Sequence, residues 1–281
     1  MTMTRVAEND YLLMTGAGAY WHDRDLLNAS LPENKSISIA DVTRDLATLL
    51  VTGPKSPAIL AAVTSQTTST EDFPWLSHQK VRIAGSEVTA IRVSYAGEAG
   101  FELHCKMSDV VSVYDSVLAA GEAHQLRPFG MLALDSMRLE KGYRSWKADL
   151  TSDYTMLESG LGRWVNFNKE DFVGRTALQS ESQAGSGREF VTLVLDDPED
   201  DGPFGEAVYL SSVVIDGADA GLVVSSGYGH RVGASIAMAV VDRKPLKSGS
   251  EISVHVLGRP RRATLIEGHV LYDPENTKMK G

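Results

Sequence analysis

Ser94-Tyr95-Ala96-Gly97-Glu98-Ala99-Gly100-Phe101-Glu102-Leu103-His104 follows directly on an apolar run that ends at Val93. It sets two carboxylates four residues apart, among small residues and beside a tyrosine. Glutamate is among the side chains least often fully buried without a partner, so a Glu in strand-like sequence raises the question of what it bonds. One reading is an exposed strand face carrying solvated acids, which is ordinary on a half-buried strand. The other is an acceptor for the flat, amide-like edge of a ligand with a row of N–H donors. The run alone leaves both open.

Working outward, Val81–Ala84 and Glu87–Val93 pair across Gly85-Ser86 as a hairpin that leads into this run. Thr48–Thr52, ending at Gly53-Pro54, and Ile37–Val42 read as strands. Tyr11–Met14 reads as a short strand and Trp21–Leu27 as a helix. Gly16-Ala17-Gly18 between them lacks the third glycine and downstream acid of a dinucleotide fingerprint and reads as a tight turn. Residues 57–64 form an apolar helix with Pro57 near its start, where the missing N–H costs nothing. On the other side, Val110, Val113, Val117 and Leu118 recur at helical spacing over Ser108–Ala123. Met131, Leu134, Met137 and Leu139 do the same over Arg127–Glu140.

Gln179–Arg188 is polar and small and reads as a linker. After it the pattern turns to short strands: Phe190–Leu195, Ala207–Leu210, Val213–Ile215, Gly221–Val224, Ile236–Val241, Glu251–Val256 and Arg262–Ile266. Regular spacing of this kind indicates a small sandwich or barrel. The expected organisation is α+β, with a first domain over residues 1–186 and a C-terminal β domain over 187–281.

With 281 residues, 43% hydrophobic and 23% charged, the chain has the profile of a globular protein able to enclose a ligand pocket. A formal net charge of -10 argues against non-specific nucleic-acid binding, which needs clustered Lys and Arg. No apolar run approaches the length of a membrane span. One cysteine, Cys105, forms no intramolecular disulfide and suits a reducing compartment, so a cytoplasmic location is expected. The seven histidines show no metal-ligand spacing.

Three further clusters carry polar side chains among glycines. Ala133–Leu150 contains Asp135 and Arg138 at a spacing that shares a helix face, then Arg144 and Trp146. Arg138 is either a structural ion-pair partner or a planar fork for a carboxylate, and Trp146 either a core plug or a stacking platform. Thr155–Gly162 with Lys169–Arg175 forms the next cluster. Ser225–Gly233, including His230, forms the last; it reads most simply as a glycine-rich turn between strands.

Taken in order, Tyr95-Ala-Gly-Glu98-Ala-Gly100-Phe-Glu102, Leu134-Asp-Ser-Met-Arg138-Leu-Glu-Lys-Gly-Tyr143, Leu157-Glu-Ser-Gly-Leu161 with Asp171-Phe-Val-Gly-Arg175, and Ser226-Gly-Tyr-Gly-His230-Arg-Val-Gly233 resemble the folate-dependent aminomethyltransferases. That is the glycine-cleavage T-protein family, and the likeness is greatest to the tetrahydrofolate domain of dimethylglycine and sarcosine dehydrogenases. His22-Asp23, Asp41-Val-Thr43 and Thr52-Gly-Pro54-Lys-Ser56 follow the dehydrogenase-linked branch. The resemblance implies α/β lobes around a folate cavity and a C-terminal β-barrel. It also implies tetrahydrofolate as cofactor, with Tyr95 and Glu102 facing the pterin and Arg138 and Trp146 supporting the pocket.

The implied activity is transfer of a one-carbon unit from an N-methylated amine or glycine-type donor to tetrahydrofolate. The alternative is a non-catalytic folate-binding or interaction subunit of a larger demethylase complex. The implied partners are a methylated-amine donor and a flavoprotein or complementing chain. The family's catalytic aspartate would fall before Met1, together with strands expected beside Tyr11–Met14, so no catalytic residue is assigned. A gene fragment, a complementing polypeptide and a degenerate relative are the three expectations this raises.

Overall fold

A computed structural model describes residues 1–196 and 205–280. They group into two compact units, one of Met1–Pro128 with Asn276–Gly281 and one of Phe129–Glu275. Compactness and composition thus divide the chain at different places, the first after residue 128 and the second near residue 186.

The first unit opens with a hairpin of β1 (Thr2–Arg5) and β2 (Tyr11–Met14), antiparallel, with Thr2 opposite Met14. Among the described residues these two strands pair only with each other, and Met3 and Tyr11 are exposed. Helix α1 (Tyr20–Ala29) follows. Ile37–Val42, expected as a strand, has no regular structure: the alternation of Ile37, Ser38 and Ile39 breaks at Ala40-Asp41, no strand among the described residues pairs with it, and Ile37 and Ile39 stay exposed.

The body of the unit is a four-stranded antiparallel sheet in the order β3 (Leu46–Thr52), β6 (Gly100–Lys106), β5 (Ser86–Ile91), β4 (His78–Ile83). Its two faces follow from the period of two along each strand. Phe101, Leu103 and Cys105 on β6 point to a core shared with Val88, Ala90, Val81 and Ile83. That core is covered by α2 (Ser56–Val63) through Ile59 and Leu60 and by α3 (Val110–Gly121) through Val113 and Val117. The opposite face carries Gly100, Glu102 and His104.

Arg92, just past β5, is 1% exposed. Its guanidinium donates to the carbonyls of Phe73 (2.7 Å) and Lys280. This second bond ties the last residues of the chain to the first unit.

The second unit begins with α4 (Met131–Glu140), one turn later than the apolar spacing suggested. Gly130 and the Pro128 before it delay the helix. Arg175–Ala184 is a helix, α5, with left-handed glycines Gly174 and Gly185 at its two ends. This corrects the reading of Gln179–Arg188 as a linker. Gln, Ser and Glu are polar but compatible with a helix on a surface, and Glu181 is held by Thr155 (2.8 Å) and Ser186 (2.6 Å).

Six strands then close into an antiparallel barrel: β7 (Arg188–Leu195), β8 (Ser212–Ile215), β9 (Ala218–Gly229), β10 (Ala234–Asp242), β11 (Ile252–Val256) and β12 (Arg259–Leu265), in the order β10-β7-β12-β11-β8-β9. Closure pairs each described barrel strand on both sides. Ala207–Leu210, expected as a strand, forms a turn, with Leu210 in the left-handed region at φ 67°.

Ala237, Ala239 and Val241 of β10 fill the barrel interior with Val191, Leu193 and Leu195 of β7. The alternate residues Ile236, Met238 and Val240 are also buried, packing outside the barrel with Leu139 of α4 and Phe190. Covering on both sides explains why β10 reads as an unbroken apolar run. The C-terminal helix α6 (Thr277–Lys280) belongs to the first unit.

Candidate functional site

The Ser94–His104 run becomes the end of a loop, residues 92–99, followed by β6. The loop is pinned at Ala99, whose carbonyl accepts from Gly53 N (2.8 Å), Ser56 Oγ (2.9 Å) and Thr52 Oγ1 (3.2 Å). Three donors from Thr52–Ser56 on one carbonyl fix where β6 begins. Ala96 N donates to Ser94 Oγ (3.2 Å), and Gly97 takes a left-handed φ of 73° that favours glycine. Tyr95 projects from this loop with 37% of its surface exposed.

Glu102 sits centrally in the sheet, opposite Leu50 of β3 and Ile91 of β5. Its side chain is 29% exposed, which is neither a solvated surface acid nor a sealed one. Its Oε2 lies 3.3 Å from His104 Nε2, and His104 Nδ1 lies 2.9 Å from Thr48 Oγ1. No other hydrogen bond to the Glu102 carboxylate occurs among the described residues, so Oε1 is open to an incoming donor. Sequence reasoning passed over His104 and Thr48. The available signal was spacing: a residue two beyond Glu102 on a strand must share its face.

Arg138 is 2% exposed. Its Nε donates to Asp135 (2.7 Å), Nη1 to Asp149 Oδ2 (2.6 Å) and to the Tyr143 carbonyl (3.1 Å), and Nη2 to Ser225 Oγ (2.8 Å). Its fork therefore organises protein groups. One of them, Asp149, also accepts from Ser145 N (2.7 Å). Lys147 N donates to the Leu150 carbonyl (2.9 Å), and the strand-like bridge Trp146–Leu150 closes the same turn. Arg138 thereby sets the shape of the loop that carries Trp146, whose surface is 45% exposed.

The neighbouring Glu140 is fully buried and accepts from the backbone N–H groups of Arg231 (2.6 Å) and Val232 (3.2 Å) and from the Arg231 guanidinium. This ties α4 to the turn after β9. The glycines of Ser225–Gly233 make room for it: a Cβ on Gly229 would lie 2.9 Å from Glu140 Cγ. The last sequence cluster is therefore the seat of α4, and His230 is an exposed turn residue packed edge-on against Tyr228 at 5.1 Å.

A second cationic group lies around Phe190. The Arg144 guanidinium stands 4.1 Å from the Phe190 ring centre and donates to the Ser159 carbonyl (2.8 Å). Burial, and then the charge of Arg163, lower Arg144 to about 10, still fully cationic at neutral pH. Burial, then Arg144 and Arg163, hold His269 below its usual value.

The family profile for the GCVT N-terminal domain matches residues 1–169, and that for the glycine cleavage T-protein C-terminal barrel domain matches residues 188–273. The chain belongs to the glycine-cleavage T-protein, or aminomethyltransferase, family.

Within that family it is 32% identical to mitochondrial dimethylglycine dehydrogenase of Rattus norvegicus, covering 100% of this chain and 32% of the relative. It is 34% identical to mitochondrial sarcosine dehydrogenase of Mus musculus, over 96% of this chain and 30% of that protein. The aminomethyltransferase of Caldanaerobacter subterraneus is 29% identical, with 94% of this chain and 68% of the relative covered. The crystal structure of aminomethyltransferase T from Bartonella henselae shares the fold, with a TM-score of 0.78 at 23% identity over 96% of this chain and 71% of that one. The chain thus spans about a third of the length of the dehydrogenases it matches.

Proposed function

We propose that this chain binds tetrahydrofolate and positions it for transfer of a one-carbon unit from an N-methylated amine or glycine-type donor. Membership of the aminomethyltransferase family and the likeness to two N-methyl-amino-acid dehydrogenases support this reading. Glu102 carries it: a half-buried carboxylate, fixed at one oxygen by His104 and open at the other, suits the amino group and ring N–H of a pterin. Tyr95, exposed on the loop that leads into Glu102, suits a flat ring face.

When bound, tetrahydrofolate would supply the two amine nitrogens that accept the one-carbon unit. The chain's own residues bind and orient. Glu102 accepts from the pterin edge, Tyr95 covers it, and the Ala99 clamp holds both in place. Within the second unit, Arg138 fixes the Trp146 loop through Asp149. The donor amine and a flavoprotein or complementing chain are the proposed partners, residues 1–186 the folate-binding domain and 187–281 the barrel domain. The cytoplasmic location rests on cysteine usage alone.

Calorimetric titration with tetrahydrofolate tests the reading. Wild type is expected to bind, and Glu102→Gln to bind at least tenfold more weakly, about the worth of one charge-assisted hydrogen bond. Absence of wild-type binding would sink the proposal. Binding without one-carbon turnover, with donor and flavoprotein supplied, would reduce the chain to a folate-binding subunit.

A further inference from the structure

We propose that His104 is a positioning residue for Glu102 and that Thr48 holds its ring in place from the other nitrogen; this rests on the reading of Glu102 as the pterin acceptor. The three side chains lie on one face of the sheet. Thr48 of β3 is the register partner of His104, and Glu102 precedes His104 by two on β6. Thr48 Oγ1 is 2.9 Å from His104 Nδ1, and His104 Nε2 is 3.3 Å from Glu102 Oε2. The His104 side chain is 3% exposed, so water does not replace either contact.

The direction of the chain follows from what each group can do. A carboxylate only accepts, so Nε2 must carry the proton that faces Oε2. The neutral ring then has a lone pair at Nδ1, and the Thr48 hydroxyl is the donor that meets it. The opposite tautomer would set two lone pairs against each other at Nε2 and Oε2. The carboxylate therefore selects the Nε2–H form, Thr48 caps the lone pair this leaves at Nδ1 and fixes the ring, and that form holds one oxygen of Glu102 while leaving Oε1 open.

A free glutamate samples several rotamers and must give up that freedom when it binds a ligand. Holding one oxygen beforehand lowers the ordering cost that binding incurs. His104 contributes by fixing Glu102, with no contact to the ligand of its own. This separates it from a residue that merely fills space beneath the sheet.

Tetrahydrofolate titration of the full chain, with a small set of variants, tests this. Thr48→Val keeps the shape and removes the donor; about a tenfold weaker affinity is expected, with Thr48→Ser restoring it. His104→Gln places an amide N–H near the Nε2 position and should retain most of the affinity. His104→Asn places its amide near Nδ1 and should lose it. Each loss should vanish in a Glu102→Gln background, as coupling through that carboxylate requires. In the wild type, ¹⁵N-detected NMR should show His104 protonated at Nε2 and unprotonated at Nδ1, whatever the folding of the variants.

If Glu102→Gln binds as tightly as wild type, the reading of the folate site falls. If Glu102→Gln is weakened but Thr48→Val and His104→Asn are not, the folate site stands and the positioning role is overturned. An Nδ1-protonated tautomer in the wild type also overturns it.

Discussion

Replacing Arg138 by leucine removes the cation but leaves its surroundings shaped for it. Asp149 is fully buried, and its Oδ2 would keep only the N–H of Ser145, at 2.7 Å. Among the described residues its Oδ1 has no hydrogen-bond partner, so none of them stands ready to take over. Asp135, half exposed at 50%, returns to water at little cost, and Ser225 loses one neutral bond. Most of the loss comes from the stranded charge of Asp149, and breaking a buried pair in this way costs about 3–5 kcal/mol. For a unit of this size that corresponds to a fall in melting temperature of about 6–20 °C.

Urea unfolding followed by tryptophan fluorescence reads the loss, because Trp146 and Trp164 both lie in the affected unit. The double variant Arg138→Leu with Asp149→Leu removes both charges and should recover part of the stability, since apolar replacement of a whole buried pair is often neutral. A loss below about 1 kcal/mol for Arg138→Leu would refute the reasoning, that being the range of an exposed pair. So would a double variant as unstable as the sum of the two single ones.

Three other outcomes follow from the same structure. Glu140→Gln removes the carboxylate charge that the Arg231 guanidinium meets and should cost about 3 kcal/mol in urea unfolding; a change within experimental error would mean that shape, not charge, seats α4 on the turn after β9. His269 titrates below its usual 6.5 because of burial and the nearby Arg144 and Arg163, so the unfolded chain binds its proton first. Its contribution is therefore fully present above about pH 6.5 and lost as the pH falls below it; His269→Phe should flatten that part of the stability profile, and an unchanged slope would count against it. Burial, with Asp109 nearby, pushes the Cys105 thiol up, so a thiol reagent should react with it only as the protein unfolds; rapid labelling of the native protein would contradict this.

How much of this was legible in the sequence depended on whether a residue's partner was near it in the chain. The hairpin of β4 and β5, helices α1 to α3 and most barrel strands follow from apolar period and turn residues, which are local. Ile37–Val42 begins with a strand-like alternation but has no partner strand among the described residues, which no local pattern can report. α5 was hidden because its residues are polar, and its helix is announced chiefly by the glycines at its two ends. Arg138 was legible as a buried-pair candidate, yet its main partner, Asp149, lies eleven residues on and Ser225 on a distant strand. Glu102 was picked out by its motif, while His104 beside it carried no motif and became visible only when the strand fixed which face it shares.

Arg92 bears on the order of events during synthesis. Its guanidinium is closed off by the carbonyls of Phe73 and Lys280, and Lys280 is translated after the whole second unit. When the ribosome has made the strands of the first sheet, that buried cation still lacks one of its acceptors. The first unit forms first, and this one contact of Arg92 is completed only after the barrel has been made. A release of the C-terminal residues late in life would return it to that nascent state, with the sheet formed and its buried arginine reopened to water.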